Sequence, residues 1–491
     1  MLLDNLHEIA RRAPASSGLR ASAVFHSYSQ LAERAEGLGA GLADRGIAVG
    51  EAVGILLPNG PELFAVAYGL FGIGAIAVPL SIHAPAPELA AACRRARVRA
   101  LVVREDHAAL AERIDASLPV FVSGGTTINS LDVLARTQPG RRRNPPGDAA
   151  ALYLFSSGST GQPKVVPHTH AEMLANGRAT ALDFALGGDD VVFNNLPGNH
   201  AMGFLNSVFE VPQAGASTFY FSDPAPLLLA RGRLLESLAA ERVTVLPGVP
   251  FMFDALAGTS GEDHLSSVRL TYSAGIRLKR AIFDRFRERY GLTIRQAYGC
   301  TEAGHVAFNR AEDPDLTWDS VGQPVGDTIV EVIPSENALG DEVGELAFHS
   351  SSLTKGYLGQ ERLNATVFAD GRFVTGDLGR IDDAGNVYIK GRSKLIVEVS
   401  GHKVDPLEIE EVVSHHPAVS EVVVVGVPEP RTGEQRLRMF VVRAGEATQA
   451  ELIAFCRERL SPQKVPASVE FIDAIPKSAS GKVLRGKLME A

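Results

Sequence analysis

The sequence predicts an α/β chain of more than one domain, and three observations carry that expectation. Through the first half, short apolar runs alternate with helical patterns, which implies parallel sheets covered by helices. From about Glu342 the texture changes to short strands and turns marked by Gly344, Gly356, Gly371, Gly376 and Gly385; after Arg392 a compact α+β unit follows. A chain of 491 residues is also too long for a single core.

Taken in order, residues 52–57 (Ala-Val-Gly-Ile-Leu-Leu) form a buried strand. Residues 63–80 carry no charge and match a short membrane span in length. Pro61-Glu62 after Asn59-Gly60 opens a helix instead, Gly72 and Gly74 interrupt it, and Ile76-Ala77-Val78 is a strand ended by Pro79. A helix followed by a buried strand is the expectation here, with no membrane span. Residues 100–103 and 120–122 continue the series of strands, and residues 138–148, with three arginines and Pro145-Pro146, form a polar connector. Asp382-Asp383-Ala384-Gly385-Asn386 is a hairpin turn before Val387-Tyr388-Ile389. The last unit comprises a helix over 406–415, strands over 422–425 and 439–442, and a helix burying Leu452, Phe455 and Cys456.

Composition narrows the function. Hydrophobic residues make up 45% and charged residues 21%, which suits a packed protein and not a disordered one. A formal charge of −9 offers no global field for nucleic acid or anionic lipid, so phosphate must be held by local donors. Cys93, Cys300 and Cys456 form no CxxC pair, which fits a reducing, cytoplasmic setting without a disulfide framework or structural zinc. Asp4, Glu8, Arg11 and Arg12 rule out a secretory apolar segment at residues 1–18.

One segment has the chemistry of a phosphate cradle. Ser156-Ser157-Gly158-Ser159-Thr160-Gly161-Gln162-Pro163-Lys164 follows an apolar strand. Its glycines let backbone N–H groups converge on an anion, and its hydroxyls add donors. It is not a Walker A loop, because Pro163 precedes Lys164 and Val165 follows it. Alone, it is also compatible with a Ser/Gly surface turn.

Further motifs decide between these readings: Tyr298-Gly299-Cys300-Thr301-Glu302, Thr375-Gly376-Asp377, Gly391-Arg392-Ser393-Lys394, and Pro476-Lys477-Ser478-Ala479-Ser480-Gly481-Lys482, in that order. With the loop they resemble the acyl-adenylate-forming superfamily, in its acyl- and aryl-CoA synthetase branch. The resemblance runs from Asn59 to Arg485. It implies a large N-terminal adenylation domain (1–392) of parallel sheets flanked by helices, with a small β-barrel-like part. A hinge at 393–394 and a small, mobile C-terminal α+β domain (395–491) complete the implied organisation.

The implied reaction is attack of a carboxylate on the α-phosphorus of ATP, giving acyl-AMP and pyrophosphate, then acyl transfer to the thiol of coenzyme A. By resemblance, Ser156, Ser157, Gly158, Ser159, Thr160, Gly161 and Lys164 hold the β,γ-phosphates. Thr301 contacts the α-phosphate, and Glu302 binds Mg²⁺, a hard cation suited to carboxylate and phosphate oxygens. Tyr298 stacks on adenine beside Ala274 and Gly275, and Asp377 and Arg392 hold the ribose. Lys482 reaches the α-phosphate and carboxylate oxygens, Lys394 is the hinge, Gly401 lines the thiol tunnel and His200 gates it. Glu398 and Lys403 depart from the lysine and glutamine of many plant aryl-CoA ligases.

The acyl pocket falls to Ala201, Met202, Gly203, Gly299, Gly304, His305 and Val306 by the same matching. No aspartate follows His200, so a buried α-ammonium would lack a partner; an aryl or medium alkyl acid is expected, not an α-amino acid. His305 is the one polar ring in that wall, and a substrate hydroxyl, carbonyl or ring nitrogen, or else a backbone carbonyl, is its expected partner. The absence of a long insertion after Arg392 favours CoA as acceptor. A carrier protein's phosphopantetheine, met in trans, is the alternative, and a nucleotide-binding protein without activity is a third reading.

Overall fold

A computed structural model gives the structure of the chain and describes all residues except 22–23, 125–126, 139–144, 157–162, 224, 226, 260–263, 339–341, 400–401, 430–434, 478–482 and 490–491. The chain divides into two compact units. The first takes Met1–Ile329 and His349–Phe373; the second takes Val330–Phe348 and Val374–Ala491.

Two sheets dominate the first unit. In the six-stranded sheet, Ala52–Leu56 lies between Ile76–Pro79 and Val98–Arg104, all parallel, and Val120–Ser123 continues the parallel order outward. Ala52–Leu56 and Ile76–Pro79 are buried along their whole length, as strands covered on both faces should be. The uncharged stretch after Asn59-Gly60 is the helix Pro61–Ile73, which places proline in its first turn and ends at Gly74, whose φ of 73° is left-handed. It therefore runs through Gly72 and stops only at the second glycine. No helix among the described residues is long and apolar enough to cross a membrane.

The nine-stranded sheet carries a parallel core of Ser217–Tyr220, Val191–Phe193, Val245–Gly248, Leu270–Ser273 and the first half of Ile294–Cys300. The second half of Ile294–Cys300 turns antiparallel to Gly304–Phe308. Ligands in such open sheets bind beyond the carboxyl ends of the parallel strands. In this sheet those ends lead into residues 194–200, 274–275 and 298–302.

The second unit holds a four-stranded sheet of Ile329–Ile333, Gly344–His349, Phe373–Ile381 and Val387–Arg392, then a three-stranded sheet, Val419–Pro428, Gln435–Arg443 and Ser468–Phe471. Helices Pro406–Val413 and Gln449–Arg459 cover the latter, burying Ile409, Val413, Leu452 and Cys456 against Val422, Val424, Met439 and Val441. Phe455 is only half-buried. The Asp382–Asn386 turn forms as expected, its Asp382 carboxylate accepting from the backbone N–H groups of Ala384 and Asn386.

Candidate active site

Strand Ala150–Ser156 pairs in parallel with Ile76–Pro79 and folds back as Lys164–Thr169, with Ser156 directly opposite Lys164. Val165 and Val166, both buried, anchor the start of the returning strand. Ser157, Gly158, Ser159, Thr160 and Gly161 lie outside the described residues. Ser156 and Lys164, which flank them in the sequence, are described and pair across the ladder.

Thr301 and Glu302 sit on a second hairpin tip, between Ile294–Cys300 and Gly304–Phe308. A bulge between Tyr298 and Gly299 marks where the strand leaves the parallel sheet. Gly304 completes the turn with φ 75°, and a Cβ there would collide with the side chain of Asn176. The Asn176 amide in turn donates to the Ala303 carbonyl at 3.1 Å.

Three separate stretches of chain meet at Glu302. Its carboxylate is 6% exposed, and one oxygen accepts from the Tyr357 hydroxyl at 2.7 Å. Burial and the nearby carboxylate charge push the Tyr357 phenol well above its ordinary value, so it stays a donor. The Lys164 ammonium stands over the same tyrosine ring, 4.6 Å from its centroid. Tyr357 is fixed in turn by Asn364, which accepts from its backbone N–H and donates to its carbonyl, both at 2.9 Å. The second oxygen of Glu302 has no hydrogen-bond partner among the described residues.

His168 supports the tip from below. It is fully buried, and burial holds its ring at a pKa of about 4, so it is neutral. The Thr301 carbonyl, 2.8 Å from Nε2, can only accept, which places the ring proton on Nε2. Backbone bonding also ties the tip to residues near Tyr357: the Thr354 N–H donates to the Glu302 carbonyl at 2.8 Å.

Ala274 and Gly275 follow strand Leu270–Ser273 at its carboxyl end; the Ala274 N–H bonds the Gly248 carbonyl, and the space beside Gly275 is open. Tyr298 is half-buried on the adjoining strand. His200 is the N-cap of the short helix Ala201–Leu205, which leads into the wider-wound turn Asn206–Glu210. Gly203 packs on the backbone of Leu196 and Pro197, where no side chain fits. Met202 packs against a cluster containing Ala274, Tyr272, Phe184 and Phe308.

His305 and Val306 are buried on Gly304–Phe308, with His305 paired across the ladder to Gly299. The partner of His305 is neither a backbone carbonyl nor left to a ligand at Nδ1: the Glu210 carboxylate lies 2.9 Å from that nitrogen. Sequence matching had not singled out Glu210, although a lone acid between Phe209 and Val211 is a readable signal.

In the second unit, Asp377 and Arg392 are cross-strand partners, and the Arg392 Nε meets an Asp377 carboxylate oxygen at 2.6 Å. Asp377 is buried while the Arg392 side chain stays exposed. Lys394 lies on the single turn Ser393–Leu395 that follows. Glu398 and Lys403 face each other across the small hairpin Val397–Val399 and His402–Val404. The two departures from the plant pattern are thus a matched pair of opposite charges. Gly401 and Lys482 lie outside the described residues.

Missing from the sequence reading are Tyr357, His168, Asn176 and Glu210. Each acts on a site residue more than 50 positions away, or across the ladder, and no local spacing announces it.

Ser156, Lys164, Thr301 and the buried Glu302, set near the carboxyl ends of parallel strands, are the groups an adenylate-forming scaffold needs. Residues 6–358 match the family model for AMP-binding enzymes, and residues 408–482 match the AMP-binding enzyme C-terminal domain. The chain belongs to the AMP-binding enzyme family. It is 31% identical to a feruloyl-CoA synthase of Amycolatopsis sp, over 98% of this chain and 96% of that one. It is 30% identical to a sulfoacetate–CoA ligase of Cupriavidus necator, over 94% and 92%. The ATP-bound crystal structure of MatB from Rhodopseudomonas palustris superposes with a TM-score of 0.90 at 26% identity, covering 100% of this chain and 99% of that one.

Proposed function

We propose that this chain is an AMP-forming acid–thiol ligase that activates a small carboxylic acid with ATP and passes the acyl group to coenzyme A. In the first step a carboxylate oxygen bonds to the α-phosphorus as the bond to the bridging oxygen of pyrophosphate breaks. In the second the CoA sulfur bonds to the acyl carbon, AMP departs with the carbonyl-bound oxygen, and the thiol proton is released. The first step needs charge clamps more than covalent groups.

The observation that carries this reading is the meeting of Lys164, Tyr357 and Glu302. Glu302 fits Mg²⁺: one oxygen is held by Tyr357, leaving the other for a cation. No group of three or more His, Cys, Asp or Glu capable of holding a metal exists among the described residues. Bound at Glu302, Mg²⁺ would offset phosphate charge.

His168 keeps the Thr301 tip in register for the α-phosphate, and Tyr298 with Ala274 and Gly275 receives adenine. The Asp377 carboxylate accepts from the ribose hydroxyls, pre-oriented by Arg392. Lys482 closes on the reacting oxygens as a flexible point charge. Lys394 is the pivot between residues 1–392 and 395–491, His200 gates the thiol and Gly401 borders its path. Ala201, Met202 and Gly203 offer no anion for an α-ammonium, which leaves aryl or medium alkyl acids. Cys93 and Cys456 are buried with thiols pushed up to about 11, in keeping with a cytoplasmic enzyme that does not use them.

The test is a coupled assay of the purified chain with ATP, Mg²⁺, CoA and a panel of acids, reading AMP and acyl-CoA by mass. Equal amounts of both products with at least one acid are expected. AMP without thioester, or ADP in its place, would refute the reading.

A further inference from the structure

Another buried carboxylate of the first unit, Glu210, lies outside the phosphate chemistry. Glu210 has no exposed surface, and no lysine or arginine pairs with it among the described residues. Its near partners are the His305 Nδ1 at 2.9 Å and the Asn206 side-chain amide at 3.5 Å. The same amide donates to the Tyr272 hydroxyl at 3.2 Å. The four side chains come from the turn Asn206–Glu210 and from strands Leu270–Ser273 and Gly304–Phe308, and all are buried. Packing alone does not call for such a group, since an apolar replacement avoids the desolvation cost.

The cluster is also incompletely satisfied. A carboxylate only accepts, so His305 donates from Nδ1 and turns Nε2 away from Glu210. Nε2 has no partner among the described residues. The Asn206 Oδ1 is buried without one. An unpaired buried acceptor is costly unless something fills it. The His305 ring lies tilted against Phe184, with centroids 4.8 Å apart, and edge-on at 6.1 Å to Tyr272, in the wall against which Met202 packs. His305 is opposite Gly299, two rungs below the Thr301–Glu302 tip, roughly 7 Å along the ladder. A ligand whose carboxylate sits at the tip would present its far end there.

We propose that Glu210, His305 and Asn206 form the polar floor of the acid pocket, and that the acid activated by this chain carries a hydroxyl at the end remote from its carboxylate. A hydroxyl can donate to Nε2, the acceptor that a ring donating from Nδ1 leaves. Glu210 acts through His305 as a positioning residue, fixing which face of the ring meets the substrate. This inference rests on the ligase reading above.

The experiment measures acid-dependent ATP–pyrophosphate exchange with matched acids: para-hydroxybenzoate against benzoate, para-hydroxycinnamate against cinnamate, and terminal hydroxyoctanoate against octanoate. Each ratio of kcat/KM is taken within one protein preparation, so partial misfolding of a variant cancels. The full-length chain should favour one hydroxylated member by tenfold or more. His305→Ala should bring that ratio close to one, and the isosteric Glu210→Gln should lower it, with the double variant losing no more than His305→Ala alone. A chain that prefers none of the hydroxylated acids, or a preference that survives His305→Ala, overturns the proposal while leaving the ligase reading intact. Exchange with no acid at all overturns both.

Discussion

Two buried glutamates, Glu302 and Glu210, flank the hairpin formed by Ile294–Cys300 and Gly304–Phe308, and they differ in how they are held. Glu302 accepts from a tyrosine that burial keeps protonated, with a lysine over the same ring. Glu210 accepts from a histidine and an amide, with no arginine or lysine pairing it among the described residues. The first arrangement suits phosphate and a cation, whose charges complete it. The second, on the proposal above, is completed by a neutral polar group of the substrate. On that proposal one hairpin would serve chemistry common to every substrate at its tip and discrimination between substrates beside it.

The comparison is sharpened most by removing the group proposed to act at the phosphate end alone. Lys482→Ala should cut adenylation by orders of magnitude for every acid, while supplied acyl-AMP is still converted to thioester. Parallel loss in both half-reactions would show that the lysine has another role.

Lys394→Pro should act on the other step. Proline fixes φ at the turn Ser393–Leu395, so acyl-AMP should accumulate while thioester formation falls. Single-turnover quench experiments resolve the two steps, and an unchanged overall rate would place the pivot elsewhere.

A smaller and uniform effect is expected at Tyr357. Tyr357→Phe removes a hydrogen bond to a buried carboxylate, worth about 1.5–3 kcal/mol, so exchange should fall by at least about tenfold. The loss should be equal for hydroxylated and unhydroxylated acids. An acid-dependent loss would erase the division of labour between the two glutamates.

The smallest effect concerns stability under the tip. The neutral His168 has its pKa lowered by burial from 6.5 to about 4, so its contribution is complete above pH 6.5 and is lost as the pH falls towards 4. By pH 5 that loss amounts to roughly 2 kcal/mol for one proton. Urea midpoints at pH 7 and pH 5 should therefore converge in His168→Asn relative to the parent chain. The same drop in both would assign the acid sensitivity to other groups, of which His170, also buried with a pKa of about 4, is the first to test.

Much of the fold was legible because buried parallel strands leave near-continuous apolar runs and helix ends leave Pro and Gly marks; Ala52–Leu56 and Pro61–Ile73 are instances. Phase errors came where polarity is weak: Gly72 does not stop its helix, and the helix expected to reach His415 ends at Val413. The return strand Lys164–Thr169 escaped notice because its pairing with Ala150–Ser156 is a matter of register, not of composition. At the site, motif residues such as Glu302 and Asp377 were readable because their chemistry is concentrated in a few consecutive positions. Tyr357 and Glu210 were not, since each is defined by a partner brought close only by folding, 55 and 95 positions away. His305 stood out as a polar residue in an apolar wall, but its partner did not.

The most direct measurement is acid-dependent exchange of labelled pyrophosphate into ATP in the absence of CoA, with the acyl-AMP identified by mass. Activation as an adenylate predicts exchange with at least one aryl or alkyl acid, requiring Mg²⁺ and abolished in Glu302→Gln. Thioester formation from that acid and CoA without any exchange would contradict it, since the acyl group would then reach sulfur by a route that bypasses AMP.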